Sequence, residues 1–505
     1  MDTSLINVDV LHNVTQFADF STVLQLTKTC REFNAECAQY LLKDKVYLEG
    51  EESVQSFIDF LTASGDDNYA RRRLPFCTNI ELSVGPSPSQ NLKLGLTILF
   101  ARIKSKALRF KFLALHYSDA LLAPDSLVPE VVAALTTLEE LKLYEYGTNC
   151  AAMLPTMQSR LLAVRLARDS SELDELLNDP LLNPHDDPLY LLQDSQETLE
   201  YMNVTLPITL RQGFFPNLTG LRIYCPGWQP LTWTFIRAFP RLVDLAAGFG
   251  TELTQERAPM AVACRQWNIA EQRRLGTWTF LRQARGTLED LFLLGLTCTI
   301  PELVISVFSL DDDVSAPDLE LRRYQADAWR QVLGCARPSR LTLRIDDSDW
   351  ILDNHGFELL TRTPELVSLK SLRLVVRVSY SMGCNPDTLG EDDGLDMLWV
   401  VVAPFIRPVD VSITFDWTGW SAQARRIADA FPDSREAARD TDFPREKLEA
   451  VDMEGHVRPF RMHENARSVL YSHVGPDGWK REARWFRPDV SAEEQAAIIE
   501  EAEAH

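Results

Sequence analysis

Apolar residues at Val10, Leu11, Val14 and Phe17 recur at the spacing of one helix face, and Val23, Leu24, Leu26, Cys30 and Phe33 repeat that spacing. The run Asp19-Phe20-Ser21-Thr22 between them predicts a turn, with Ser21 or Asp19 capping the second helix by accepting its free amide hydrogens. A third short helix is predicted from about Ala35 to Leu42. Two or three amphipathic helices in roughly forty residues make too small a core to stand alone, so they must pack on the rest of the chain or on a partner.

Beyond residue 75 the pattern changes to apolar-x-x-apolar-x-apolar, whose alternating end suits a half-buried strand. Full matches are Leu138-x-x-Leu141-x-Leu143, Leu161-x-x-Val164-x-Leu166, Leu199-x-x-Met202-x-Val204, Leu218-x-x-Leu221-x-Ile223, Leu288-x-x-Leu291-x-Leu293 and Leu369-x-x-Leu372-x-Leu374. Weaker versions begin at Cys77, Ala107, Leu242, Pro338 and Pro408. Phe215-Pro216-Asn217-Leu218 and Phe239-Pro240-Arg241-Leu242 lead into two of these strands, the proline ending a helix and setting an extended approach. Segments 129–135, 230–239 and 326–335 have helical spacing. Strand and helix therefore alternate, and each pair buries its apolar face by stacking on its neighbours. This pattern predicts an α/β fold: a small N-terminal α-helical head followed by an irregular leucine-rich-repeat-like solenoid with parallel strands. A large α/β domain with unrelated strands is the alternative.

The boundaries are a head over 1–45, a linker or helical connection over 46–75, the solenoid over 76–420 and a capping region with an acidic tail over 421–505. Residues 381–396 read as a loop, 421–431 as a helix and 443–462 as containing a strand. The cap covers apolar surface and strand edges that an open solenoid end would expose.

Composition narrows the function classes. With 45% hydrophobic and 25% charged residues the chain is that of a folded protein. Its formal charge of −22 repels nucleic-acid phosphates and anionic lipids, so neither nucleic acid nor membrane is an expected partner. The nine cysteines are scattered and none forms Cys-x-x-Cys, so they read as reduced core residues. Acidic residues among the first twenty and the broken apolar runs argue against a secretory signal or a membrane span, which predicts a cytoplasmic or nuclear protein.

The search for chemistry finds no phosphate loop, dinucleotide fingerprint, nucleophile elbow or paired-histidine zinc motif, so no catalytic residue, cofactor or metal is assigned. Asp346-Asp347-Ser348-Asp349 and Asp311-Asp312-Asp313 read as solvated loops, and Arg71-Arg72-Arg73 as a solvated linker. The pairs Trp228/Trp233, Trp267/Trp278 and Trp417/Trp420 are core fillers or interface anchors.

The run Ile6-Asn7-Val8-Asp9-Val10-Leu11 with Val14, Phe17, Asp19 and Thr29-Cys30-Arg31-Glu32-Phe33-Asn34 resembles an F-box, closest to fungal F-box proteins with leucine-rich-repeat-like C-terminal regions. Ile6-Asn7 stand where that family usually has Leu-Pro, and Thr15 where phenylalanine is usual. The resemblance implies a non-enzymatic substrate receptor of an SCF-type (cullin-RING) ubiquitin ligase, with a Skp-family adaptor and cullin complex as partners and a protein substrate on the solenoid. It implies adaptor contacts from Ile6, Val10, Leu11, Val14, Phe17, Leu24 and Leu26. An interaction scaffold unconnected to ubiquitin, with the head packed internally, is the rival reading. An α/β hydrolase or transferase is disfavoured by the missing motifs.

Overall fold

The apolar alternation along the chain becomes parallel strands separated by helices. The computed structural model describes residues 13, 15–18, 20–27, 29, 38–43, 45–62, 73–168, 187–205, 213–225, 229–250, 257–307, 319–345, 369–377, 409–416, 466–474, 480–486 and 490–503. Two compact units divide the chain, one of residues 1–228 and 234–242, the other of residues 229–233 and 243–505.

In the first unit β1 (Val46–Glu49), β2 (Asn79–Ser83), β3 (Phe112–His116), β4 (Glu140–Tyr144), β5 (Ala163–Ala167), β6 (Tyr201–Val204) and β7 (Gly220–Tyr224) follow in chain order. Each pairs in parallel with the one before it. One hydrogen-bond step repeats as each strand begins. The N–H groups of Lys111 and Phe112 both donate to the Thr78 carbonyl, those of Glu139 and Glu140 to Lys111, those of Leu162 and Ala163 to Glu139, and those of Glu200 and Tyr201 to Leu162. Side-chain hydroxyls tie the segments ahead of successive strands: Thr137 donates to the Phe110 carbonyl, Ser159 to Leu135 and Thr198 to Leu161. Burial along β2, β4 and β5 alternates, so one face is packed and the other meets solvent. The proline leaders stack as well: Phe215 and Phe239 are fully buried with ring centroids 6.1 Å apart.

In the second unit β8 (Asp244–Gly248), β9 (Gln283–Thr287), β10 (Glu302–Val307), β11 (Arg340–Ile345), β12 (Ser371–Arg377), β13 (Val409–Asp416) and β14 (Ala466–Val474) pair in parallel and in chain order. The last strand, β15 (Lys480–Phe486), runs antiparallel to β14. Helix Ala258–Leu275 carries a buried polar stripe. Arg265, Asn268 and Gln272 donate to the carbonyls of Phe292, Leu293 and Gly295, at and just beyond the end of helix Leu288–Leu294.

Several expectations change. Leu288-x-x-Leu291-x-Leu293 is helical, not a strand, because Thr287 and Asp290 close a capping box at its start and Gly295 ends it at φ 57°. The strand there is β9, just ahead of it, whose packed positions Ala284 and Gly286 are small; a Cβ on Gly286 would lie 2.8 Å from the Ala247 carbonyl oxygen. The pattern at Ala107 is out of step: β3 runs Phe112–His116, so Phe110, Leu113 and Leu115 fill the apolar positions. Within 46–75, where the sequence predicts a linker or helical connection, a strand, β1, precedes a helix, Gly50–Thr62. Arg73 is not solvated: it is 3% exposed, bonded to the Phe60 carbonyl and stacked over the Phe60 ring. The second head helix is Phe20–Thr27, so Ser21 lies inside it rather than capping it, and the third spans Ala38–Lys43. The predicted helix 421–431, the strand within 443–462, the loop 381–396 and the acidic runs at 311–313 and 346–349 lie outside the described residues.

Candidate functional site

The open face of the strands in the first unit gathers the residues with most binding chemistry. Parallel pairing sets its rows: in the central row Tyr47, Glu81, Ala114, Lys142, Arg165, Asn203 and Arg222 stand side by side from β1 to β7. The flanking rows carry Phe112, Glu140 and Tyr201 on one side and His116, Tyr144 and Tyr224 on the other. Neighbouring strands are about 4.8 Å apart, so long side chains of adjacent rows touch.

The two ends of this face differ in charge. At the β1–β3 end the carboxylate of Glu81, 12% exposed, is bonded to the Lys45 ammonium and lies 3.0 Å from His116 Nε2. Burial alone would raise its pKa, but the hydrogen bonds and charges of Lys45 and His116 outweigh that and hold it below the usual carboxylate value. The His116 ring stacks on Tyr144 with centroids 4.2 Å apart. Lys45 and Lys142 lie 5.1 and 5.0 Å from the centroid of the Phe112 ring, and Lys142 also pairs with Glu140 at 2.9 Å. A cavity of about 300 Å³ opens beside them, lined by Lys45, Asn79, Lys111, Phe112, Glu139 and Glu140 among others.

From β5 to β7 the face is cationic without built-in carboxylates. Arg165 sits over the Tyr144 ring at 4.8 Å and Arg222 over the Tyr201 ring at 5.8 Å. Among the described residues neither guanidinium has a carboxylate partner, and Arg165 Nε is buried without a hydrogen bond. Gly220 makes room for this arrangement, since a Cβ there would lie 2.7 Å from Tyr201 Cδ2. In the second unit two arginines beside the strand starts are paired: Arg282 with Asp244 and Arg340 with Glu302.

Of the residues expected to contact an adaptor, Ile6, Val10, Leu11 and Val14 lie outside the described residues. Phe17 is helical and 86% exposed. Leu24 lies in helix Phe20–Thr27 and Leu26 in the same helix is half-buried. Val23 from that helix is buried in a small cluster with Leu41, flanked by Ala18, Tyr40 and Phe60, and Thr15 is 3% exposed. The structure therefore brings Val23 and the third helix together and leaves Phe17 in solvent.

Burial pushes the thiols of Cys77, Cys150 and Cys225 up to about 12, far from a nucleophilic thiolate. Among the described residues no three His, Cys, Asp or Glu side chains cluster as metal ligands, and no helix is long and apolar enough to cross a membrane. Of the tryptophans singled out, Trp278 is a core residue at 2% exposure and Trp267 is 58% exposed.

Sequence reasoning passed over the cationic row, although its signal lay inside the repeats. Lys142, Arg165, Asn203 and Arg222 are the middle residues of the apolar-x-apolar endings in four successive matches. Comparison with known proteins finds no matching family model and no matching curated protein. The functional reading therefore stands on the chain's own residues.

Proposed function

We propose that this chain is the substrate-recognition subunit of an SCF-type (cullin-RING) ubiquitin ligase. Residues 1–45 form an F-box-like head that docks a Skp-family adaptor, and the strand-and-helix succession behind it is a leucine-rich-repeat-like solenoid that holds a protein substrate. The observation that carries the reading is Phe17, a large apolar side chain left 86% exposed beside a small helical cluster that buries Val23. Such a residue gains free energy only when a partner covers it. The repeated strand-start hydrogen bonds support the repeat architecture. On this reading other subunits perform the chemistry, and this chain contributes proximity.

Co-purification with a Skp-family adaptor tests the proposal. Wild type is expected to retain the adaptor and a Leu11→Asp/Val14→Asp variant to lose it; equal behaviour of the two removes the docking role. A second reading, an interaction scaffold unconnected to ubiquitin, is favoured by the contact of Val23 with the cluster around Leu41, which gives the head an internal packing partner. A wild-type protein that never retains the adaptor would support it.

A further inference from the structure

We propose that the open strand face from β4 to β7 binds an extended acidic segment of a partner protein, with Lys142, Arg165 and Arg222 receiving its carboxylates. The inference rests on the substrate-receptor reading and names the class of substrate segment. Its first support is charge: a chain of net charge −22 concentrates three cations in one row, and the two arginines have no carboxylate within reach among the described residues. The second is pre-organisation. Each cation lies against an aromatic ring, Lys142 on Phe112, Arg165 on Tyr144 and Arg222 on Tyr201, so little side-chain freedom remains to be lost on binding. The third is the occupied end of the same face, where Glu81 takes Lys45 and His116; Lys142 stands at the boundary, bonded to Glu140 through one of its three ammonium donors and keeping the others for a second carboxylate. There the protein supplies the carboxylates itself; towards β7 it does not.

Spacing specifies the ligand further. From β4 to β7 is three strand intervals, about 14 Å, with cations on the first, second and fourth strands. An extended peptide crossing the strands advances about 6.7 Å per two residues, with alternate side chains on one side. Acids at i, i+2 and i+4 therefore span about 13 Å and meet the three cations. The planar guanidinium forks of Arg165 and Arg222 suit carboxylates held in two-point contacts.

Fluorescence anisotropy on the full chain, with a labelled Ser-Glu-Ser-Glu-Ser-Glu-Ser peptide as probe, tests this. We expect saturable binding that weakens as salt rises and falls at least about tenfold in Arg165→Glu/Arg222→Glu. Because Arg222 is exposed, Arg222→Glu alone preserves the fold and should still weaken binding several-fold. The proposal is overturned if wild type ignores the peptide, or if both variants bind it as wild type does. It is equally overturned if a phosphoserine version or a single-stranded RNA binds while the glutamate peptide does not. Adaptor retention by the wild type separates the two claims: retention without peptide binding removes only the acidic-ligand assignment, and peptide binding without retention removes only the adaptor role.

Discussion

Replacing Asn268 by alanine probes the packing of the second unit through one side chain. Asn268 is fully buried on helix Ala258–Leu275. Its Nδ2 donates to the carbonyls of Pro230 at 2.9 Å and Leu293 at 2.8 Å, and its Oδ1 accepts from the Thr232 N–H at 3.0 Å. Truncation leaves three buried backbone groups without this partner. An unpaired buried group costs about 1–3 kcal/mol, and a water admitted to the vacated space can restore one or two contacts, so a loss of about 3–5 kcal/mol is expected. That is a large part of the about 5–15 kcal/mol that stabilises a typical domain. Urea denaturation followed by tryptophan fluorescence measures it, with Trp267→Ala as control because that neighbouring side chain is largely in solvent. The control should shift stability by no more than about 0.5 kcal/mol. A loss below about 1 kcal/mol for Asn268→Ala, or an equal loss for the control, would refute the hydrogen-bond argument.

Three further outcomes follow from the first unit. A Cβ at Gly147 would lie 2.5 Å from Asp119 Cγ, and Asp119 accepts the N–H groups of Asn149 and Cys150 at the start of helix Thr148–Met153. Gly147→Ala should cost about 1–2 kcal/mol in thermal unfolding, and adding Asp119→Ala should cost less than the sum of the two; full additivity would show that the clash does not act through the cap. Glu81 has a folded pKa below its unfolded value, so its ionisation stabilises the fold above the unfolded pKa and this contribution is lost as pH falls through the folded one. The stability gap between wild type and Glu81→Gln should therefore close on acidification; a gap undiminished at about pH 3 contradicts the assignment. Cys77, Cys150 and Cys225 should resist alkylation in the native protein at about pH 8 and react on unfolding, as mass spectrometry of labelled peptides will read.

The strands were legible wherever large apolar residues alternate, as at Leu141 and Leu143 or Val164 and Leu166, because burial on one face of a strand demands that alternation. They were illegible where the sheet packs closely: β9 has only Ala284 and Gly286 at its inward positions, small residues that leave no apolar signal. The helix at Leu288 fits the strand template by composition, and only Thr287-x-x-Asp290 ahead of it tells the two apart. Nothing local in the sequence reveals that Arg265, Asn268 and Gln272 meet the carbonyls of Phe292, Leu293 and Gly295 opposite them. The cationic row was spelled out in the repeats, but its unity depends on register: Arg165 and Arg222 are far apart in sequence and come into one row only through β6 between them.

The central claim is that the head docks an adaptor, and calorimetric titration of the purified chain with a Skp-family adaptor tests it most directly. The account predicts one-to-one binding that weakens at least about tenfold in Phe17→Asp, as expected for loss of a buried phenylalanine worth about 1.5–3 kcal/mol, while the unfolding temperature of the free variant stays unchanged because Phe17 is already in water. No heat of binding with wild type, or equal affinity for the variant, would contradict it.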